Sequence, residues 1–287
     1  MPFAFLTRFG AALTFVVVAA AGVLAQVAAP RPMLARIGEY VERYYARAQS
    51  IVALETVTVQ PLTRDLGFDG FARRLVYELR VEWNPSASDD DARATVVREL
   101  VSVNGRPPRK GDEPRCTDPR GVSPEPLAAL LPDRIHKFTF SIAASGRVEG
   151  RAATIIDFRS VRAEPPQAVW RDECVSIDLP GRTRGRVWAD PETAEILRFD
   201  EHLTGMVDIP VPRSQQRIGA PAFMTIERAD MSIKYRRVAF RDPDETIMLP
   251  ALIESVIVVR NSGSPRLRIT QAFADYRRFV TESRIIR

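Results

Sequence analysis

The sequence predicts a mainly β protein: an antiparallel half-open barrel or strongly curved sheet, preceded by one N-terminal amphipathic helix. Three observations carry this. Residues 33–49 place apolar side chains three and four positions apart, the helical period. After residue 50 the period drops to two, as in strands. From there on, roughly ten or eleven alternating stretches are separated by turn-forming residues, the pattern of an extended sheet, barrel or sandwich. No internal repeat divides them, which disfavours propellers and solenoids.

The helix places Leu34, Ile37, Val41, Tyr44, Tyr45 and Ala48 on one face, with Arg36, Glu39, Glu42, Arg43 and Arg47 elsewhere. Such a face packs on its own sheet or lies on a membrane. Leu75, Tyr77, Leu79, Val81 and Trp83 then alternate with Val76, Glu78, Arg80 and Glu82, so the sheet has one apolar and one charged side. Residues 95–103 read as the next strand and end at Asn104-Gly105, a strong turn pair. Phe138, Phe140 and Ile142 share a face, a turn is expected at Ser145-Gly146-Arg147, and Thr154, Ile156 and Phe158 share the returning strand. Val175, Ile177 and Leu179 alternate again. Residues 185–202 read as a hairpin around Asp190-Pro191-Glu192-Thr193, where Pro191 fixes φ and Asp190 bonds the turn amides. Strands are expected at 224–240, 246–260 and 267–279, with a turn at Asn261-Ser262-Gly263. Two proline-bearing stretches, 105–133 and 208–221, read as long loops, places where function often resides.

The chain has 287 residues, 45% apolar and 27% charged, a soluble globular mix that excludes disorder as the main state. Residues 1–25 read as a signal peptide: Arg8 precedes an apolar run from 11 to 25, and cleavage is expected after Ala25. The rival is an uncleaved anchor over 9–29. No Cys follows the run and no twin-Arg precedes it, so neither a lipid-modified cysteine nor folded export is indicated. Residues 26–287 are expected to form a single β-rich domain. The formal charge of +5 becomes +4 without Arg8. Basic and acidic residues alternate rather than cluster, a solvated mixed surface and not a nucleic-acid footprint. In an oxidising envelope Cys116 and Cys174 are expected to pair, closing a loop of about sixty residues and contributing ~4 kcal/mol. The alternative is two buried thiols.

The hairpin Gly185-Arg186-Val187-Trp188-Ala189-Asp190-Pro191-Glu192-Thr193, followed by Ile196-Leu197-Arg198, resembles the central hairpin of the lipoprotein-carrier (LolA/LolB-like) superfamily. The order of elements over residues 33–280 is also similar. That resemblance implies a half-open barrel whose apolar concave face, covered by helices or loops, accepts acyl chains. Val103-Asn104-Gly105-Arg106-Pro107 resembles a group of uncharacterised exported bacterial proteins and implies no activity.

Catalytic motifs are absent from the sequence. His136 and His202 are the two histidines, and neither has a Ser or Cys nucleophile motif beside it. Gly181-Arg182-Thr183-Arg184-Gly185 lacks the Lys-Ser/Thr ending of a phosphate loop. Asp89-Asp90-Asp91 and Asp242-Pro243-Asp244-Glu245 have no EF-hand spacing. No cofactor or metal is expected. Tyr77, Leu79, Val81, Phe138, Phe140, Phe158 and Trp188 are expected to line one concave surface, which either takes an apolar ligand or packs under the helix. The leading functional expectation is a non-enzymatic periplasmic or envelope protein binding a lipid, a lipidated protein or another hydrophobic ligand. An interaction module with an envelope protein as partner comes second, and a hydrolase third.

Overall fold

The computed structural model describes residues 31–47, 51–83, 94–112, 125–171, 174–216, 221–241, 244–262 and 266–278. The expected leader, its cleavage point and the acidic loop 89–91 lie outside them.

The first element is the helix α1 (Arg31–Arg47). Pro32 stands in its first turn, where no backbone N–H is needed. Leu34, Ile37, Val41, Tyr44 and Tyr45 are buried, and Arg36, Glu39, Glu42, Arg43 and Arg47 are exposed, as the spacing predicts. Both helix ends are pinned. Arg36 donates to the carbonyl of Pro191 at 3.0 Å, and Arg47 Nε donates to Glu245 Oε2 at 3.0 Å.

β1 (Ile51–Pro61), β2 (Arg73–Trp83) and β3 (Ala94–Val103) form an antiparallel meander. A short helix α2 (Glu125–Ala128) and a 3₁₀ turn at Ile135–Lys137 lead to the hairpin of β4 (Phe138–Val148) and β5 (Arg151–Ser160). β6 (Gln167–Arg171) and β7 (Cys174–Asp178) pair only with each other, as a two-stranded ribbon. β8 (Thr183–Ala189) and β9 (Ile196–Leu203) form the expected hairpin. Asp190 Oδ1 accepts the amides of Glu192 and Thr193 at 2.9 and 3.1 Å. β10 (Val207–Pro210) pairs with β11 (Phe223–Arg241), and β12 (Asp244–Arg260) and β13 (Arg266–Arg278) complete the chain.

The main sheet runs β3-β2-β1-β13-β12-β11-β9-β8-β5-β4, antiparallel throughout, with β10 attached to β11. Here the expected half-open barrel or strongly curved sheet is corrected. The sheet is open, neither closed nor strongly curled, and β3 and β4 are its two edges. Closure requires the first and last strands to pair with a matching stagger. Two-residue alternation says which face is apolar and nothing about that stagger.

The expected Cys116–Cys174 bridge is corrected as well. The structure contains no disulfide among the described residues; Cys174 opens β7, and Cys116 lies outside them. The expectation rested on compartment, whereas a bridge needs two Cα atoms about 4.4–6.8 Å apart, which no spacing in the sequence supplies.

Smaller differences are local. The β4–β5 turn falls at Glu149-Gly150, with φ of 48° and 84°, and Gly146 lies inside β4. Positive φ at both central residues is what a tight hairpin turn of matching twist requires. Part of the stretch 208–221 is strand β10. Pro250 lies within a central strand, paired with Tyr235 beside a bulge after Lys234. A bulge is where a strand tolerates a residue without an N–H.

One face of the sheet is the core. A continuous cross-strand row reads Leu75, Val57, Gln271, Ile253, Ile233, Phe199, Val187, Ile156 and Ile142. α1 and the segment Leu127–Leu131 cover the half of this face around Phe199. Gly38 lets the two covers touch: a Cβ there would lie 3.1 Å from Pro132 Cγ. The β6–β7 ribbon covers a separate apolar patch of Val207, Ile209, Met224 and Ile226. A third cluster joins Val57, Leu75, Tyr77 and Val103.

Candidate functional site

The inner sheet face is the candidate site. Phe138, Phe140 and Phe158 meet there as the alternation predicts. Phe158 lies 5.9 Å from Phe138 and 6.3 Å from Phe140 between ring centroids, and stacks on Phe199 at 5.2 Å. Such ring pairs contribute ~0.5–1.5 kcal/mol beyond area burial. Gly185 makes the arrangement possible. A Cβ on it would sit 2.6 Å from Phe158 Cζ and 2.0 Å from the backbone oxygen of Asp200, so the ring takes the place of a side chain.

The other expected residues divide. Leu79 belongs to the core under α1, and Tyr77 to the third cluster, both buried. Val81 pairs through its backbone with Ile51 and Val96; its side chain lies outside the described residues. Trp188 is on the opposite face. It is cross-strand to Ile155 and Arg198, and its ring lies between the guanidinium groups of Arg198 at 4.7 Å and Arg186 at 5.9 Å. That outer face carries the charge. Arg186 pairs with Asp157 at 2.5 Å, Arg198 with Asp200 at 2.7 Å, and Ser232 donates to Asp200 at 2.7 Å.

The two histidines lie in different elements. His136 is exposed in the turn before β4. His202 Nδ1 meets Asp230 Oδ1 at 2.9 Å on the outer face, while the neighbouring Ser232 hydroxyl is committed to Asp200. Among the described residues no group of three His, Cys, Asp or Glu is arranged to hold a metal.

Two inward polar features escape a reading based on apolar alternation. Glu55 is fully buried beside Tyr77 and Phe273. Arg98 reaches across β2 to it with a two-pronged contact of 2.6 and 3.2 Å, and Gln271 donates to it at 2.8 Å. Every strong partner is satisfied, which is the condition for tolerating a buried charge pair. Glu201 is the contrary case: half-buried by surface area, it lies against apolar neighbours. Met231 and Gly185 flank it across the strands, with Phe199 and Leu203 on the same face of β9. No hydrogen bond or ion pair reaches its carboxyl among the described residues. Burial pushes its pKa up to about 7, and the neighbouring His202 only partly opposes this. Both carboxylates were legible: Glu55 follows Ile51 and Ala53 on the inward parity, and Glu201 stands between Phe199 and Leu203.

No family model and no curated protein matches the sequence. Among solved structures, three are distantly similar in fold. A Vibrio parahaemolyticus domain named for outer membrane lipoprotein sorting superposes with a TM-score of 0.41 at 10% identity, covering 88% of this chain and 94% of that one. A DUF1329 family protein from Desulfovibrio piger gives 0.41 at 10% identity, covering 90% and 95%. A LolA superfamily protein from Nitrosomonas europaea gives 0.32 at 8% identity, covering 86% and 94%. At these scores the likeness fixes neither ligand nor partner.

Proposed function

We propose that the chain is an exported, non-enzymatic binding protein of the periplasm or envelope. Its inner sheet face takes the apolar part of a ligand, the acyl chain of a lipid or of a lipidated protein. The observation that carries this is how that face is covered. α1 and the β6–β7 ribbon lie on it without sharing a ladder hydrogen bond with the main sheet. A cover held by side chains parts from the sheet without breaking a strand pair. An acyl chain entering beneath it exchanges one apolar contact for another, and only the surface it removes from water adds stability. Burying a twelve-carbon chain supplies ~0.8 kcal/mol for each CH₂ removed from water. The phenylalanine cluster and the patch under the ribbon are the two surfaces such a chain would meet.

The test is native mass spectrometry of the purified protein, followed by calorimetric titration with dodecanol. Expected are co-purified lipid, or saturable uptake with a negative heat-capacity change. A protein that carries no lipid and takes up no dodecanol ends this reading.

A further inference from the structure

We propose that the β1–β2 end of the sheet is a docking tip for an anionic lipid surface, with Phe68 and Phe71 entering the bilayer interface. This is independent of what the inner face binds.

The turn between β1 and β2 presents two aromatic rings to solvent. Phe71 is 99% exposed and Phe68 is 69% exposed. The turn is nevertheless built. Leu62 is buried and bridges to Phe68 through the backbone. Thr63 N–H donates to the Gly67 carbonyl at 2.9 Å, and Asp69 N–H to the Pro61 carbonyl at 3.0 Å. Gln60 Nε2 donates to the carbonyl of Asp69 at 3.2 Å. Thr63 Oγ1 donates to Asp65 Oδ1 at 2.6 Å, so one of the loop's two carboxylates is engaged. A fixed loop that holds two phenylalanines in water forgoes the burial each ring would otherwise gain, and large apolar side chains held exposed by a built turn mark a contact surface.

The surroundings identify the partner's charge. Residues 60–74 hold Arg64, Arg73 and Arg74 against Asp65 and Asp69. The segment 104–112 is joined to this end by the Asn104 N–H donating to the Arg74 carbonyl at 2.8 Å. It adds Arg106, Arg109 and Lys110 against Asp112. The start of β13 adds Arg266 and Arg268, whose guanidinium lies 5.4 Å from the centre of the Phe68 ring. Eight basic and three acidic residues give this end +5, all from the described residues. Apolar rings at the tip with cations behind them match an interface of acyl chains beneath anionic headgroups. Charges that alternate along the sequence are thus gathered by the fold.

The experiment is sedimentation of the exported protein with vesicles of phosphatidylglycerol mixed with phosphatidylcholine, and with phosphatidylcholine alone. Binding to the anionic vesicles is expected to exceed binding to the neutral ones. Arg64→Gln and Lys110→Gln are each expected to weaken it about fivefold, and salt to do the same. Phe68→Ser with Phe71→Ser is expected to weaken it more than about tenfold, with Tm unchanged because neither ring is buried. A Phe71→Trp variant reads the contact directly, through a blue shift of its indole emission on the anionic vesicles. Equal binding to both vesicle types, full binding by the double serine variant, or no shift in the emission of the Phe71→Trp variant would each overturn the proposal.

Discussion

Glu201 shows what one side chain costs when its surroundings are apolar. Its folded-state pKa of about 7 lies above its ordinary 4.5, so the folded chain holds the proton more tightly than the unfolded chain does. The associated stability is fully present below pH about 4.5, declines as pH rises, and is lost once the pH has passed through about 7. Glu201→Gln keeps the shape and removes the titration. The variant is expected to match the parent near pH 4 and to exceed it in unfolding free energy above pH 8, by on the order of 2–3 kcal/mol. Urea titrations at several pH values check this; parallel curves for the two proteins would contradict it. Glu55 is the more deeply buried of the two and has partners. Arg98 and Gln271 meet its oxygens, and a pair of this kind costs ~3–5 kcal/mol when one side is removed. Sequence placed both carboxylates on the inward parity. Which of them found a partner depended on Arg98 crossing an intervening strand.

Among the elements, α1 was the most legible, because six apolar positions at helical spacing leave one face to bury. Ile37 is fully buried at the centre of that face. Ile37→Ala is expected to cost ~2–5 kcal/mol by thermal unfolding, while Glu39→Ala on the exposed face stays within about 0.5 kcal/mol. An equal effect of the two would mean that the helix does not pack as described. The Asp190 hairpin was legible for the same kind of reason: a local turn chemistry fixes it without help from distant parts. The ribbon was half legible. Val175, Ile177 and Leu179 gave β7 away, but whether β7 joins the main sheet or forms its own is a matter of partner choice. Trp188 was expected on the concave surface, and it lies beside the core on the arginine-bearing side of β8. Val187 takes the inward parity in β8, so its neighbour must face outward, where two arginines hold it.

For the whole molecule, the open sheet order has a dynamic consequence. β11, β12 and β13 are each paired on both sides, whereas β3 and β4 have one neighbour in the sheet. Amide hydrogen exchange is expected to be slowest in β12 and to quicken toward β3 and β4, since the edges open with less of the ladder to break. Uniform protection from edge to edge would indicate a closed barrel instead. The sequence by itself determined the helix, most strands, the Asp190 turn and the inward parity of most strand side chains, because these follow from bonding within a few residues. Only the tertiary structure decided that the sheet stays open, that a separate ribbon covers one apolar patch, and that scattered arginines converge around Phe68 and Phe71. Those are matters of which strand pairs with which across the chain, and a two-residue alternation is the same whatever the partner.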